Sequence, residues 1–368
     1  MNAKVIIDAR WMAGGIGTYT KQLLAGICQS PDGFEVQAIT RQRDAKLVAQ
    51  WCPQVKVVNM PTYTLGEQLA VPWAAKGCDL LHVPHYNAPL LHRGPLLVSI
   101  LDLIHITDPV YSRNFRSWVY ARPMLNLVAR KAEHIVTISE YSKAQIVERL
   151  RVQAEKVTAI HCGVNGQFRS VDRKQAHAAV SEALSIQEPY LLFVGSLKPH
   201  KNIFTLLQGF MLLRQRHDIP QRLLIIGDDA HWKSLLVAEC SRLGIHDTTT
   251  FVPYVSQDLL PKVYAGADLL VMPSTIEGFG LPVLEAMACG TPVVCSRAAS
   301  LPEVAGDAAE YFDPCSGEDL AAAIERVLNS PGRQEELRRR GLERVREFTW
   351  EESTRKHLDV YRRLLGLN

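Results

Sequence analysis

The twenty residues from Pro273 to Pro292, PSTIEGFGLPVLEAMACGTP, constrain this chain more than any other stretch. They hold two carboxylates, a glycine-bracketed loop and a helix start. The apolar run before them, Leu269 to Met272, reads as a buried strand. Glu277 stands in the loop that follows. Glu285 falls eight residues later, in a helical run beginning near Leu281 or Pro282. Gly278 and Gly280 permit backbone conformations that a Cβ disfavours, so the amides around Phe279 can approach a ligand closely. Pro282 suits the first turn of a helix, and a helix N-terminus favours phosphate or an electron-rich sugar oxygen. The stretch predicts a sugar-nucleotide clamp. Read without that ligand, it is a strand, a Gly-rich turn and a capped helix of any α/β protein, with Glu285 solvated.

With 368 residues, 47% hydrophobic and 21% charged, the chain exceeds what one core usually holds, so two domains are expected. No window offers the roughly eighteen consecutive apolar residues of a membrane-spanning helix. The opening MNAKVIIDARW starts a strand and lacks the basic and then long apolar regions of a signal peptide, so a cytoplasmic location is expected. Eight cysteines (Cys28, Cys52, Cys78, Cys162, Cys240, Cys289, Cys295 and Cys315) are scattered without a Cys-x-x-Cys pair, which fits reduced core thiols better than disulfides or zinc. Charge divides unevenly. Residues 1 to 170 hold 19 Lys and Arg against 12 Asp and Glu, and the remainder hold 22 against 26. A basic front half points to an anionic partner, either a phosphate-bearing acceptor or an anionic membrane surface at the inner face. Nucleic acid is the weaker expectation, because the basic residues follow no reader motif.

Short apolar strands alternate with helical or loop segments. In the first half, Lys4 to Asp8, Val36 to Thr40, Val55 to Met60, Leu80 to Val83, Leu96 to Leu101, Ile135 to Ser139 and Val157 to Ile160 read as strands. In the second, Tyr190 to Val194, Leu223 to Ile226, Thr250 to Val252, Leu269 to Met272 and Pro292 to Cys295 do so. This order implies mainly parallel sheets, which bind ligands at the carboxyl ends of their strands. His82, His85, Asp102 and His105 fall at such ends. After the first strand, Gly14, Gly15 and Gly17 cluster without G-x-G-x-x-G spacing, in a turn before an inward-facing Leu23, Leu24 and Ile27 helix stripe. The polar tract Arg169 to Glu188 reads as a connector. Residues 111–133 interleave Arg113, Arg116, Arg122, Arg130 and Lys131 with Phe115, Trp118 and Tyr120. That segment is either a surface for an anionic bilayer or lipid-linked acceptor, or a solvated basic face over a packed apolar one.

Glu277 and Glu285, spaced as Glu-x7-Glu, resemble the signature of the retaining glycosyltransferases of the GT-B fold, family 4 or group 1. The likeness runs over nearly the whole chain and implies two Rossmann-like α/β domains facing across a deep cleft. Residues 1–168, with a C-terminal helix 350–368 crossing back onto them, would form the acceptor-side domain, and 186–349 the nucleotide-sugar domain. By that resemblance Glu277 and the amides of Gly278, Phe279, Gly280 and Leu281 hold the donor sugar, and Glu285 holds the ribose hydroxyls. Gly14, Gly15 and Gly17 match the family's glycine loop near the donor pyrophosphate and the acceptor. Gly195 to Asn202, GSLKPHKN, is similar to the family element in which Lys201 neutralises the donor diphosphate as a compact point charge. Tyr254 and Val255 match a loop that lies against the nucleobase.

Two departures from the family pattern stand out. Leu101 occupies the place of a His that touches the donor sugar; Asp102 matches the following Asp, and His105 lies three residues further on. Either His105 or His85 then supplies the contact, or the sugar is recognised differently, as a 6-deoxy sugar lacking the contacted hydroxyl would be; otherwise His105 is an ordinary loop histidine. Ser196 stands where members with a Gly-Arg start place a second cation, which leaves the diphosphate to Lys201, Asn202, backbone amides or another base.

The resemblance implies transfer of a hexose or deoxyhexose, with retention, from a nucleotide diphosphate sugar to a glycan or lipid-linked acceptor. Glu277, Asp102 and His105 are the expected catalytic residues, GDP-mannose the favoured donor, and no metal or other cofactor is implied. A phosphorylase or epimerase of the same fold, or a non-catalytic sugar-nucleotide binding protein, are the competing readings.

Overall fold

The computed structural model describes residues 3–30, 33–108 and 115–367. The chain divides into two compact units, Met1–Gly163 with Trp350–Asn368, and Val164–Thr349.

The first unit holds β1 (Lys4–Asp8), α1 (Gly14–Gln29), β2 (Glu35–Thr40), β3 (Val55–Val57), α2 (Glu67–Ala74), β4 (Leu80–Val83), β5 (Leu96–Ser99), α3 (Phe115–Lys131), β6 (His134–Thr137), α4 (Glu140–Leu150) and β7 (Val157–Ala159). Its strands form one parallel sheet in the order β3-β2-β1-β4-β5-β6-β7. Val5 to Ile7, Leu80, Leu81, Val83 and Leu96 to Val98 are buried, because helices cover both faces of such a sheet. The C-terminal helix Trp350–Leu365 belongs to this unit and packs on α1, where the side chain of Thr354 fills the space left at Gly26. β3 stops at Val57, short of the expected Met60, since it is an edge strand paired only along Ala38–Thr40. β5 likewise leaves the sheet after Ser99.

The basic and aromatic segment largely forms α3. Ala121, Leu125, Val128 and Ala129 are buried in the core while Arg122 and Arg130 point outward, an amphipathic division. Arg113 lies outside the described residues.

The second unit holds α5 (Arg173–Leu184), β8 (Tyr190–Val194), α6 (Ile203–Arg216), β9 (Arg222–Ile226), β10 (Thr249–Val252), α7 (Leu260–Gly266), β11 (Leu269–Met272), α8 (Leu281–Ala288), β12 (Val293–Ser296), β13 (Ala309–Phe312) and α9 (Gly317–Leu328). Its parallel sheet runs β10-β9-β8-β11-β12-β13. The tract expected as a connector contains α5: Asp172 caps it by accepting from the Gln175 amide at 2.9 Å, and Ala176 and Val180 are buried as it packs on α7. The second compact unit starts at Val164; the resemblance implies a second domain from residue 186.

In each sheet the strand order reverses once, between β1 and β4 and between β8 and β11. Open parallel sheets bind ligands just beyond the carboxyl ends of the strands at such a reversal.

Candidate active site

In the second unit, the loops leaving β8 and β11 carry the residues singled out by sequence. The first runs from Gly195 through a 3-10 turn, Pro199–Lys201, and ends at Asn202 in the left-handed region (φ 56°), which Asn tolerates better than most residues. The Asn202 side-chain amide donates to Pro273 O at 3.0 Å and Pro314 O at 2.8 Å, and its Oδ1 accepts from the Thr205 hydroxyl. His200 O accepts from the Thr275 amide at 2.9 Å. These bonds stitch the two loops together and set Lys201 Nζ 2.5 Å from Glu277 Oε1. Asn202 thus ties the loops together through its side chain. Ser196 is half-buried on the same loop.

The buried Glu277 carboxylate also accepts from the Ser274 hydroxyl at 2.9 Å. The Ser300 hydroxyl, with no exposed surface, lies 3.0 Å from Glu277 O and 2.9 Å from Phe279 O, and so fixes the backbone of the glycine loop. Phe279 turns its ring inward, edge-on to Phe348 with centroids 5.8 Å apart. Gly280 adopts φ 109°, and a Cβ there would stand 2.8 Å from Leu301 Cδ2, so the turn into α8 requires glycine. Leu281 then opens α8, with Pro282 in its first turn.

Glu285 lies one turn into α8, and its Oε2 accepts from the Tyr264 hydroxyl at 2.7 Å. The carboxyl keeps some accessible surface, yet the surrounding protein desolvates it and pushes its pKa up to about 7, opposed by the Tyr264 hydrogen bond. On the loop after β10, Tyr254 is 69% exposed while Val255 packs inward. Ser274, Ser300 and Tyr264 carried no local sequence signal; each acts over a distance of three to about twenty residues through a single hydroxyl.

In the first unit, Asp8 ends β1 and Arg10 forks onto it, with Nε to Oδ1 and Nη2 to Oδ2 both at 2.8 Å. Arg10 Nη2 lies 3.3 Å from Glu67 Oε2, and all three residues are buried. Glu67 Oε1 accepts from Asn87 Nδ2 at 2.6 Å, and Asn87 Oδ1 accepts from the Tyr120 hydroxyl at 2.6 Å. His85 stacks on Trp11 with centroids 3.6 Å apart, and its Nδ1 accepts from the Asn87 amide. Burial, helped by the nearby His105 and Arg10, lowers the His85 pKa to about 3, so the ring is neutral. Tyr86 sits between the two histidines, 4.3 Å from His85 and 5.4 Å from His105. Asp102 Oδ1 accepts from the Ile104 amide at 3.0 Å, which holds the short helix Ile104–Thr107 carrying His105. The fold therefore gathers His85, Asp102 and His105 at one sheet end, whereas His82 is buried in β4 under the C-terminal helix. Asp8, Arg10, Trp11 and Glu67 were not read from the sequence, although an Asp-x-Arg at the end of a first strand was the available sign.

The glycine cluster is not the loop expected. Gly14, Gly15 and Gly17 form the first turn of α1, where the Gly17 amide already donates to Ala13 O at 3.0 Å. A Cβ on Gly17 would fall 2.3 Å from the Met12 carbonyl, so the chain can fold back into the helix only with glycine there. Gly14 and Gly15 have open space beside them.

The family described as Glycosyltransferase Family 4 matches residues 13–168, and that described as Glycosyl transferases group 1 matches residues 177–344. An O-antigen chain mannosyltransferase B of Escherichia coli is 31% identical over 291 residues, spanning 77% of this chain and 74% of that one. A D-inositol 3-phosphate glycosyltransferase of Mycobacterium marinum is 32% identical over 393 residues, spanning 96% and 82%. The structure of sucrose-phosphate synthase from Thermosynechococcus elongatus, 23% identical, superposes over 99% of both chains with a TM-score of 0.80. Two Rossmann-like parallel sheets, the Glu277 loop between β11 and α8 with Glu285 on α8, and these likenesses agree: the chain belongs to the group 1, family 4 glycosyltransferases of the GT-B fold.

Proposed function

We infer that the chain moves a hexose or deoxyhexose from a nucleoside diphosphate sugar, GDP-mannose by preference, to a glycan or lipid-linked acceptor of a surface polysaccharide or glycolipid, with retention of anomeric configuration. The observation that carries this reading is the Lys201–Glu277 pair, 2.5 Å apart beyond the β8 and β11 ends, with the Glu285 carboxylate farther along the same segment on α8. A lysine point charge beside a glycine loop and a helix N-terminus suits a diphosphate, and a buried carboxylate accepting hydroxyl donors suits a ribose or sugar ring. The mannosyl preference draws on the mannosyltransferase relative of Escherichia coli.

In this reading Lys201 Nζ leaves Glu277 for the diphosphate oxygens, and Glu277 then accepts hydrogen bonds from the sugar. Charge building on the leaving diphosphate is met by Lys201, the loop amides and the start of α8. Transfer takes place on the front face: the acceptor hydroxyl attacks the anomeric carbon as the bond to the diphosphate breaks, and the hydroxyl proton passes to a leaving phosphate oxygen. The reading needs no metal, so turnover is expected to persist in EDTA.

A thermal-shift screen with GDP, UDP, dTDP and their sugars tests the donor, since a ligand bound only by the folded state raises the melting temperature with its affinity. GDP and GDP-mannose are expected to give the largest shift. A large shift with UDP and none with GDP would overturn the GDP preference.

A further inference from the structure

The water-facing side of α2 is unusually apolar. Leu65, Leu69 and Trp73 recur at four-residue spacing and are 89%, 65% and 81% exposed. The only acid of the helix, Glu67, points into the interior. The Leu90 amide donates to Gln68 Oε1 at 2.7 Å, which draws the loop before β5 against the helix and sets Leu91, 57% exposed, on the same side. Trp73 and Leu91 line a groove of about 350 Å³ together with Lys76 and Arg93, both exposed cations. The acid nearest in sequence, Asp79, accepts from the Lys4 amide at 2.7 Å.

Four large apolar side chains rimmed by cations mark a contact surface rather than ordinary solvent-facing protein. Trp with Leu beside Lys and Arg is the composition of a surface that lies in a membrane interface, with the apolar groups below the headgroups and the cations among the phosphates. A second copy of the chain fits less well, because pairing this face with itself would bring Lys76 and Arg93 against their own kind. We propose that this face, formed by Leu65, Leu69, Trp73, Leu91, Lys76 and Arg93, docks the chain on an anionic lipid bilayer. The surface lies outside residues 111–133, the segment that the sequence offers either as a bilayer or lipid-acceptor surface or as a solvated basic face. Among the described residues no helix is long and apolar enough to cross a membrane, so the contact is interfacial.

Flotation of the full chain with vesicles of phosphatidylcholine alone, or with phosphatidylglycerol added, tests the proposal and needs neither donor nor acceptor, so it stands apart from the transfer reading. The chain is expected to float with the anionic vesicles and to be released by salt, which screens exposed charges. Leu69→Glu with Trp73→Glu, both at exposed positions, is expected to lower the bound fraction by about tenfold or more with an unchanged melting temperature. Lys76→Glu with Arg93→Glu is expected to abolish the preference for anionic vesicles. Failure of the wild-type chain to float overturns the proposal, as does flotation of the Leu69→Glu, Trp73→Glu variant at the wild-type level. So does a dimer in sedimentation velocity that this variant dissolves, in a chain that ignores both vesicles.

Discussion

The Tyr19 hydroxyl lies 2.8 Å from His357 Nε2, and this contact sets the direction of a hydrogen-bond chain through the first unit. His357 Nδ1, 2.7 Å from Ser353 O, must donate, so Nε2 accepts from Tyr19. The Tyr19 oxygen then accepts from Ser99, Ser99 accepts from His82 Nε2–H, and His82 Nδ1 accepts from Tyr361 at 2.6 Å. Both imidazoles are neutral and each ring nitrogen is used. The C-terminal helix is thus bound to α1 through His357 and to the sheet through Tyr361, four residues apart on one face.

Acid should loosen this unit. Burial lowers the His357 pKa to about 4 and holds His82 well below 6.5. The unfolded chain takes up protons near 6.5 while the folded chain does not, so stability is full above pH 6.5 and declines as pH falls from there towards 4. His85, lowered to about 3, adds in the same direction. Urea midpoints measured above and within that window are expected to drop on the acid side.

Removal of the Tyr361 hydroxyl leaves His82 Nδ1 buried without its donor. Tyr361→Phe is expected to cost about 1–3 kcal/mol in urea unfolding. Tyr361→Phe paired with His82→Phe should be less than additive, because the two groups share one bond.

Nucleotide affinity should follow the ionisation of Glu285. Only the carboxylate accepts two hydroxyls, and its pKa is raised to about 7 by burial. GDP binding by calorimetry is expected to be constant well above pH 7 and to weaken as pH falls through it. The Tyr264 hydroxyl opposes the rise, so Tyr264→Phe should move the break to higher pH.

Asn202→Ala removes two hydrogen bonds to backbone carbonyls and puts alanine, which tolerates the left-handed region less well than asparagine, at φ 56°. A loss of about 2–4 kcal/mol is expected, together with weaker nucleotide binding, since the same bonds hold Lys201 in place.

Much of this was legible before the structure. The strands are buried on both faces, so they read as unbroken apolar runs such as Leu269 to Met272 and Tyr190 to Val194. The Glu277–Glu285 spacing, the glycine at 280 and the start of α8 were all local. What stayed hidden was either weakly patterned or long-range. α5 buries little beyond Ala176 and Val180, and its many polar residues look like linker. β13, with only Ala309, Glu310, Tyr311 and Phe312 at the sheet edge, is too short to show a period. The hydroxyls of Ser274 and Ser300 shape the Glu277 loop by bonds that no spacing announces, and the buried Asp8, Arg10 and Glu67 cluster joins residues more than fifty positions apart.

In the proposed reaction Glu277 serves the reacting sugar rather than the nucleotide. Glu277→Gln keeps the size of the side chain and the Ser274 contact but removes the charge that pairs with Lys201. The decisive measurement is GDP release from GDP-mannose by this variant, beside its calorimetric affinity for GDP. Turnover reduced by about a hundredfold or more, with GDP affinity within a few-fold of wild type, is the predicted result. Turnover at the wild-type level, or affinity and turnover lost in parallel, would contradict it.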